Sequence, residues 1–312
     1  MAASPSPLFD RIAPLLFVAV WSTGWIVARY SADYADPLTF LCFRFGAAGL
    51  LLLGLAIAAG APFPRRRRDW GHALVSGVFL HAVYLGGVWW AIRHGLPASI
   101  SALIAAVQPI ATALLAPALL GERASWRRAF GVLLGLAGLL LVLGPKLGAT
   151  AVGAGALAPI GVNLVAMLGA TAGFFYQKRF LPGGDLRAIA GLQYAGAFAV
   201  MLPAAFLLEP MRIVWNQTTL LVLAWSVLAL SIGAIGLLLL LIRHGEVSRA
   251  SALIYLVPPT AAIQAWLLFG ETLGRWQIAG MALTAAGVAI ASRRPADRRI
   301  ASAPAPSHAA LR

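Results

Sequence analysis

A twenty-residue stretch that occurs twice in the chain decides the fold. Residues 92–111 read IRHGLPASISALIAAVQPIA, and residues 242–261 read IRHGEVSRASALIYLVPPTA. The two stretches are identical at 11 of 20 positions, including the Ile-Arg-His-Gly tetrapeptide at the start and a proline near the end, Pro109 and Pro259. Gly-Glu pairs then recur at an offset of 149 residues, at 121–122 and 270–271. Chance does not account for shared anchors of this kind, so the chain contains two copies of one unit.

The chain around this repeat is too apolar for a domain that folds in water. Of its 312 residues, 61% are hydrophobic and 11% are charged, whereas soluble domains average about 45–50% apolar and about 25% charged. The unbroken leucine runs Leu50–Leu53 and Leu237–Leu241 favour helices over a membrane β-barrel, whose strands alternate in polarity. The single cysteine, Cys42, excludes a disulfide within the chain.

We predict an all-α integral membrane protein with ten transmembrane helices. A helix that crosses a bilayer takes about 20 apolar residues, and each predicted span is bounded by a short turn, often with Pro or Gly. The predicted spans are residues 9–30, 37–59, 70–92, 98–119, 127–144, 156–181, 187–208, 219–242, 248–269 and 276–292.

Each copy of the repeat holds five of these spans. Because five is odd, the second copy enters the membrane from the opposite face, and a pseudo-two-fold axis in the membrane plane relates the copies. We therefore predict two inverted five-helix repeats, at residues 1–148 and 149–292. Residues 293–312 are rich in Pro and Ala, and we expect them to form a disordered cytoplasmic tail.

The positions of Lys and Arg predict the orientation. With both termini in the cytoplasm, 18 of the 24 basic residues lie on the inner side, five lie in outer loops, and Arg44 lies inside a span. This distribution accounts for the net charge of +14, so we expect no nucleic-acid partner. We predict a multi-pass protein of the inner (plasma) membrane whose partners are lipids and a small-molecule substrate. The oligomeric state stays open.

Several motifs resemble those of a known family. Trp21-Ser-Thr-Gly24, Asp36-Pro37-Leu38 and Arg44 are similar to the first repeat of the drug/metabolite transporter superfamily, EamA type. The apolar span leading to Gly-Glu and then to a glycine-spaced span is similar to that repeat in both halves. The similarity covers roughly residues 12–292. The resemblance implies export of small metabolites, often amino acids, by alternating access.

Within that family we favour export of aromatic or other apolar amino acids, because the spans are rich in aromatic residues. An exporter of other amphipathic metabolites or drugs is the alternative in the same class. A passive channel and an integral membrane enzyme are the alternatives from other classes. An enzyme needs an acid–base or metal constellation at membrane depth. Of the five histidines only His81 is deep, and no carboxylate accompanies it, so we predict no enzyme.

Candidate substrate-binding residues lie where polar or helix-breaking side chains occur inside spans. Prolines in the middle of spans 4 and 9 break helices at matching places in the two copies, which is typical of a transport site. An ionisable residue within the membrane, such as His81, is a functional candidate by default. The full set is His81, Tyr84, Trp89, Pro109, Asn163, Tyr176, Gln177, Trp225, Ser231, Tyr255, Pro258 and Gln264.

Arg44, Trp21 and Trp25 are predicted to serve a gate or helix packing. Arg44 lies about 10 Å from the Pro37 end of its helix at about 1.5 Å per residue, and Gln193 occupies the equivalent place in the second copy. A direct contact between Arg44 and a substrate carboxylate is the other interpretation. Glu122 and Glu271, at the ends of spans 4 and 9, are predicted to be structural, through a nearby Arg or the start of the next helix.

The absence of certain residues predicts how transport is driven. All ten acidic residues fall in loops, tails or span ends, whereas ion-coupled carriers usually keep a carboxylate at mid-depth. No Gly-rich Gly-Lys-Ser/Thr loop for ATP occurs. We therefore expect gradient-driven efflux without ATP, cofactor or metal, or coupling through His81.

Overall fold

The computed structural model describes residues 7–120, 126–148, 157–181, 183–234, 236–237 and 256–292. Apart from one isolated β-bridge between Ala35 and Ile213, the regular structure in these ranges is helical. The predicted residue Tyr255 lies outside the described residues, as do Glu122 and the second Ile-Arg-His-Gly tetrapeptide.

The helices of the first half follow the predicted spans closely, because short loops with Pro or Gly bound each apolar stretch. They are α1 (Pro7–Ala32), α2 (Pro37–Ala58), α3 (Arg67–Gly77), α4 (Tyr84–Arg93), α5 (Ala98–Ile104), α6 (Val107–Leu120) and α7 (Trp126–Gly148). A π-helical segment, Val78–Val83, joins α3 to α4.

The helices of the second half follow the same order. They are α8 (Leu157–Phe180), α9 (Leu186–Leu208), α10 (Gln217–Trp225), α11 (Val257–Phe269) and α12 (Arg275–Ser292). A second π-helical segment, Ser226–Gly233, continues from α10. Local sequence fixes several ends: Asp185 and Asn216 cap α9 and α10 through side-chain oxygens, and Gly270 ends α11 in the left-handed conformation.

Five described helical stretches are long and apolar enough to cross a membrane: Ile12–Ala32, Pro37–Ala58, Arg67–Arg93, Leu157–Phe180 and Leu186–Leu208. Three shorter apolar helices accompany them, at Ala129–Val142, Gln217–Gly233 and Val257–Phe269. Large apolar side chains cover the outside of the bundle, and Leu50 and Leu207 are 75% and 83% exposed. Surfaces of this kind are stable against lipid rather than water.

Spans 4 and 9 both contain a proline in the first turn of a described helix. α5 ends at Ile104 and α6 begins at Val107, so span 4 is interrupted just before Pro109. Pro258 lies in the first turn of α11. A missing N–H in a first turn leaves no helical hydrogen bond unmade.

Two close antiparallel helix pairs form the frame of the bundle. α7 packs against α12, and α2 packs against α9. Lipid offers no hydrophobic driving force between helices, so small residues that allow backbones to approach stabilise such contacts. A methyl group at Gly138 would overlap Thr284 and the Gly280 carbonyl, and one at Gly287 would overlap the backbone of Gly131 and Gly135. The glycines are therefore required by close approach.

Two glutamates connect the halves at helix starts. Glu209, after α9, accepts hydrogen bonds from the first amides of α2 at 2.9 Å. Glu271, after α11, accepts from the first amides of α5 at 3.1 and 2.9 Å and from the Ser99 hydroxyl at 2.6 Å. A carboxylate is favoured there by the unpaired N–H groups and the helix dipole. The helix that Glu271 caps thus lies in the first half and is not the next helix along the chain.

Candidate functional site

Four helical spans bring polar and aromatic side chains together in the middle of the bundle. The group comprises Arg44 on α2, His81 in the first π-helical segment, Tyr84 and Trp89 on α4, Tyr194 on α9, and Ser231 in the second π-helical segment. We call these six residues the central cluster. It unites four of the predicted binding residues with Arg44, which sequence assigned to gating or packing.

Tyr194 holds the cluster together. Its ring stacks on His81 with centroids 4.3 Å apart and an interplanar angle of 12°. Its hydroxyl donates to Ser231 Oγ at 2.7 Å, and Ser231 donates in turn to the Ser226 carbonyl at 3.0 Å. Phe45 packs against both rings, 6.2 Å from His81 and 5.9 Å from Tyr194. These contacts fix the imidazole orientation between α2 and α9.

Arg44 lies at the edge of the cluster with its charge enclosed. The residue is 5% exposed, and its guanidinium lies 5.3 Å from the centroid of the Trp89 ring. The hydroxyls of Tyr84 and Tyr194 lie nearby. Within the described part of the chain, Arg44 Nε and Nη1 and the indole Nε1 of Trp89 have no hydrogen-bond partner. Buried donors are normally satisfied, so the cluster presents unused donors.

Four members of the central cluster, Arg44, Trp89, Tyr194 and Ser231, are buried. His81 and Tyr84 are half-buried, although both lie in the middle of a membrane-length helix. The π-helical segment widens the helix at His81, and such wide turns occur frequently at functional sites. The second π-helical segment contains Ser231, which the repeat offset of 150 pairs with His81. Sequence analysis did not predict these wide turns.

A second polar network lies between α3, α8 and α9. The buried Gln193 amide donates to Ser76 Oγ at 3.0 Å and to Gln177 Oε1 at 3.1 Å. His72 Nδ1 and the Tyr176 hydroxyl share a hydrogen bond of 2.7 Å. Tyr176 and Gln177 are therefore adjacent to each other but belong to this network rather than to the central cluster.

The other candidates lie apart. Asn163 is fully buried and bonds Ser101 at 3.1 Å, which links α8 to α5. Trp225 is 47% exposed and donates to Thr23 at 2.8 Å. Gln264 donates to the Ala19 carbonyl at 3.1 Å. The last two contacts join α1 to α10 and to α11.

The tryptophans of α1 differ in their surroundings. Trp21 is half-buried against Phe17, with ring centroids 5.3 Å apart. Trp25 is buried, and its Nε1 has no partner within the described ranges. Their assignment to a gate or to packing stays a prediction.

A groove of about 540 Å³ opens between α6 and α8. It is mostly apolar, with a Tyr and an Arg at one end. Its walls are Leu115, Leu119, Leu168, Thr171, Ala172, Phe175, Tyr176 and Arg179. The groove does not include any member of the central cluster.

One ion pair lies just outside a membrane-length helix and joins neighbouring residues of the chain. At the start of α9, Arg187 donates to both oxygens of Asp185 at 3.0 and 2.8 Å. These bonds and the backbone bond from Arg187 lower the pKa of Asp185 to about 2.

Among the described residues, no group of three His, Cys, Asp or Glu side chains could hold a metal ion.

Tyr194 is the main residue that sequence analysis missed. The repeat offset of 149 pairs it with Phe45, but a tyrosine in an apolar span gave no sign that it would contact His81. The signal was the repeat itself, because equivalent residues near a two-fold axis approach each other.

Apolar helices around a polar, partly open centre define the class of protein. Such an arrangement is typical of membrane transport proteins, because intramembrane polar groups are costly and mark solute pathways. The sequence profile of the EamA-like transporter family matches residues 12–144 and again residues 158–293. The chain therefore belongs to this family of membrane transporters.

Curated relatives cover almost the whole chain. A "probable amino-acid metabolite efflux pump" of Salmonella typhimurium is 26% identical over 90% of this chain and 94% of its own. The inner membrane transporter YedA of Escherichia coli, described as uncharacterized, is 28% identical over 86% of this chain and 85% of its own. A "probable terminal-alkyne amino-acid exporter" of Streptantibioticus cattleyicolor is 26% identical over 92% and 94%.

A solved crystal structure supports the fold. It superposes with a TM-score of 0.62 and 20% identity, over 90% of this chain and 96% of the other. At this identity the likeness concerns the fold alone.

Proposed function

We propose that the chain exports small metabolites of the amino-acid class across the inner membrane. Two relatives named for amino-acid or amino-acid metabolite export support this substrate class. A relative named as an inner membrane transporter supports the location. Aromatic and other apolar amino acids are the substrates that the rings of the central cluster would favour.

The transport pathway would run between two inverted five-helix repeats. Helices that the repeat makes equivalent pack against each other in antiparallel directions, both for α2 with α9 and for α7 with α12. A duplication without inversion would leave equivalent helices parallel. The contact of Gly131 with Gly287 also has its counterpart in that of Gly138 with Gly280, as a two-fold relation requires.

The observation that carries the proposal is that residues equivalent in the repeat meet in and beside the central cluster. Phe45 and Tyr194 are repeat-equivalent and lie in contact, with ring centroids 5.9 Å apart. His81 and Ser231 are also equivalent, and both contact Tyr194. A site on the axis is presented equally to both sides of the membrane when the repeats exchange conformations, which is the requirement of alternating access.

Counterflow in proteoliposomes tests the proposal directly. We expect saturable exchange of one or more of the twenty amino acids at symmetric pH, without ATP. Flux that rises linearly with concentration would indicate a channel, and no flux of any amino acid would contradict the substrate class. A strict requirement for a proton gradient would contradict gradient-driven efflux and favour coupling through His81.

Variants of the central cluster test the site. We expect His81→Ala and Tyr84→Phe to reduce export strongly, because both side chains line the partly open centre. His94→Ala is the matched control, since His94 is exposed and bonds only the Trp90 carbonyl in the described structure. Normal export by both cluster variants would remove this site.

Labelling tests the inversion. Single cysteines at Arg93 and at Arg243, in a Cys42→Ala background, should react with an impermeant maleimide from opposite faces of the membrane. Labelling of both from the same face would exclude an inverted repeat.

A further inference from the structure

We propose that Arg44 binds the carboxylate of the exported substrate. The proposal rests on the function given above and assigns one residue to one chemical group of the substrate. It follows from a charge that the described protein leaves without a counter-ion.

The first observation is that Arg44 has no anionic partner in the described ranges. Its Nε and Nη1 lack hydrogen-bond partners, although the residue is 5% exposed. The described ion pairs join Arg29 to Asp33 and Arg187 to Asp185, while Glu209 and Glu271 cap helix starts. A cation within a membrane protein normally pairs with another group.

The second observation is the contrast with the equivalent position. Gln193 is equally buried, at 6% exposure, and its amide nitrogen donates to both Ser76 and Gln177. In the described ranges, the first half thus has a charged side chain with two unpartnered nitrogens beside the Tyr194 hydroxyl, where the second half has a neutral amide with two acceptors. Packing requirements alone would be met by the neutral side chain.

The third observation concerns what surrounds the guanidinium. The titratable groups facing it are His81, Tyr84 and Tyr194, and the Trp89 ring lies 5.3 Å from it. None of these is an Asp or Glu, so none supplies a carboxylate counter-ion. His81 and Tyr84 are half-buried beside it, and a small anion would find unused donors there.

A substrate carboxylate explains the unpaired charge of Arg44 better than a side chain that reaches the charged membrane interface would. Arg44 does not extend to the membrane interface, because its side chain is enclosed between α2 and α4. The aromatic rings beside it suit the apolar part of an amphipathic amino acid, and a carboxylate supplies the acceptors that guanidinium binds best.

The test compares an amino acid with its amide in the full-length reconstituted protein. L-phenylalanine and L-phenylalaninamide share the ring and the amine, but only the acid has a carboxylate. We expect wild-type protein to prefer the acid. In Arg44→Gln the kcat/KM for the acid should fall roughly 10- to 100-fold, the range for a charge-assisted hydrogen bond, while that for the amide changes little. Arg44→Lys should retain part of the preference.

Arg275→Gln is the matched control, because Arg275 is exposed at the start of α12 and should leave the acid-to-amide ratio unchanged. The same assays are repeated with leucine and leucinamide. If Arg44→Gln does not fold, the ratio in wild type and in Arg44→Lys decides, and a wild-type ratio near one overturns the proposal.

The outcomes distinguish the carboxylate site from the proposed function of amino-acid export on which it rests. Equal wild-type transport of acid and amide, lowered equally in Arg44→Gln, would overturn the carboxylate site while leaving amino-acid export intact. Equal transport that depends on chloride, tested against methanesulfonate, would assign Arg44 to an inorganic anion and also overturn it. No wild-type transport of any amino acid or amide would overturn both.

Discussion

The repeat makes the contact between α1 and α11 equivalent to the contact between α8 and α6. We call these contacts the α1/α11 and α6/α8 junctions, and they differ in how closely the side chains fill them. At the α1/α11 junction, Tyr30 packs edge-on against Phe269 with centroids 4.8 Å apart. Arg29 lies 5.6 Å from the same ring and pairs with Asp33 at 2.9 Å. At the equivalent α6/α8 junction the helices are also in contact, but a groove of about 540 Å³ opens between them.

The acidic residues near the two ends of the bundle show the same contrast. Asp36 at the start of α2 accepts from the backbone N–H of Arg212, in the other half of the chain, at 2.8 Å. Its equivalent, Asp185 at the start of α9, binds only Arg187 of its own helix in the described structure.

The difference teaches that one sequence unit can occupy two states in the same molecule. Alternating access requires this asymmetry, because a symmetric molecule would be open or closed on both sides. In the predicted topology, the α1/α11 junction with its Tyr30–Phe269 contact faces outward, and the α6/α8 groove faces the cytoplasm.

The largest expected effect comes from preventing the closed junction from opening. In a Cys42→Ala background, Tyr30→Cys with Phe269→Cys should cross-link readily with a short bifunctional reagent, and export should fall to background. The control pair, Leu119→Cys with Arg179→Cys across the groove, should need a longer reagent. Equal cross-linking of both pairs would contradict the contrast between the junctions. Gel mobility and counterflow measure the two results.

A smaller effect tests the α7/α12 pair, which we expect to stay fixed while the junctions change. Gly138→Val should lower the free energy of unfolding by roughly 3 kcal/mol, because the added side chain overlaps Thr284 and the Gly280 carbonyl. Gly54→Val is the control, since nothing lies within 4 Å of a methyl group there. Thermal unfolding in detergent measures both, and similar melting temperatures would show that α7 and α12 separate freely.

Removing a cap between the halves should have a moderate effect. Glu271→Ala leaves the first amides of α5 and the Ser99 hydroxyl without their acceptor, at a cost of about 2 kcal/mol. Asp33→Ala, which removes an exposed ion pair, should cost about 0–1 kcal/mol. Glu271→Ala should also increase labelling of a cysteine at Tyr30. Unchanged labelling would mean that the cap does not hold the junction.

The smallest effect is local and depends on pH. Asp185→Ala should cost about 1 kcal/mol at neutral pH, as loss of a helix cap. Because the folded pKa of Asp185 is about 2, below its usual value of 3.8, its contribution is complete above the unfolded pKa. The contribution is lost as the pH falls through the folded pKa. The difference in melting temperature between wild type and variant should therefore be constant from pH 7 to 5 and shrink in more acidic buffer.

Sequence predicted the fold better than the site, for physical reasons. Apolar length and the polar residue before each helix determine where these helices begin, so α2, after Asp36, and α9, after Asp185, start within a residue of prediction. Membership of the EamA-like family is confirmed. The count of ten crossings and the inversion stay predictions.

The grouping of the site residues depends on packing that periodicity does not encode. Sequence singled out His81, Tyr84, Trp89 and Ser231, but it could not show that Tyr194 joins them by a stack and a hydrogen bond. It also could not distinguish them from Tyr176 and Gln177, which are of similar residue types but bond His72 and Gln193 respectively. The residue types of the two π-helical segments did not indicate that the helices widen there.

The wide turns in the middle of spans 3 and 8 have a mechanical consequence. A π-helical turn contains more residues than an α-helical one, so converting it to α-helix would rotate the following segment, by about 100° for each residue taken up. In span 3 that segment begins at Tyr84 and includes Trp89. Rewinding Val78–Val83 would thus change which side of span 3 presents these rings to α2.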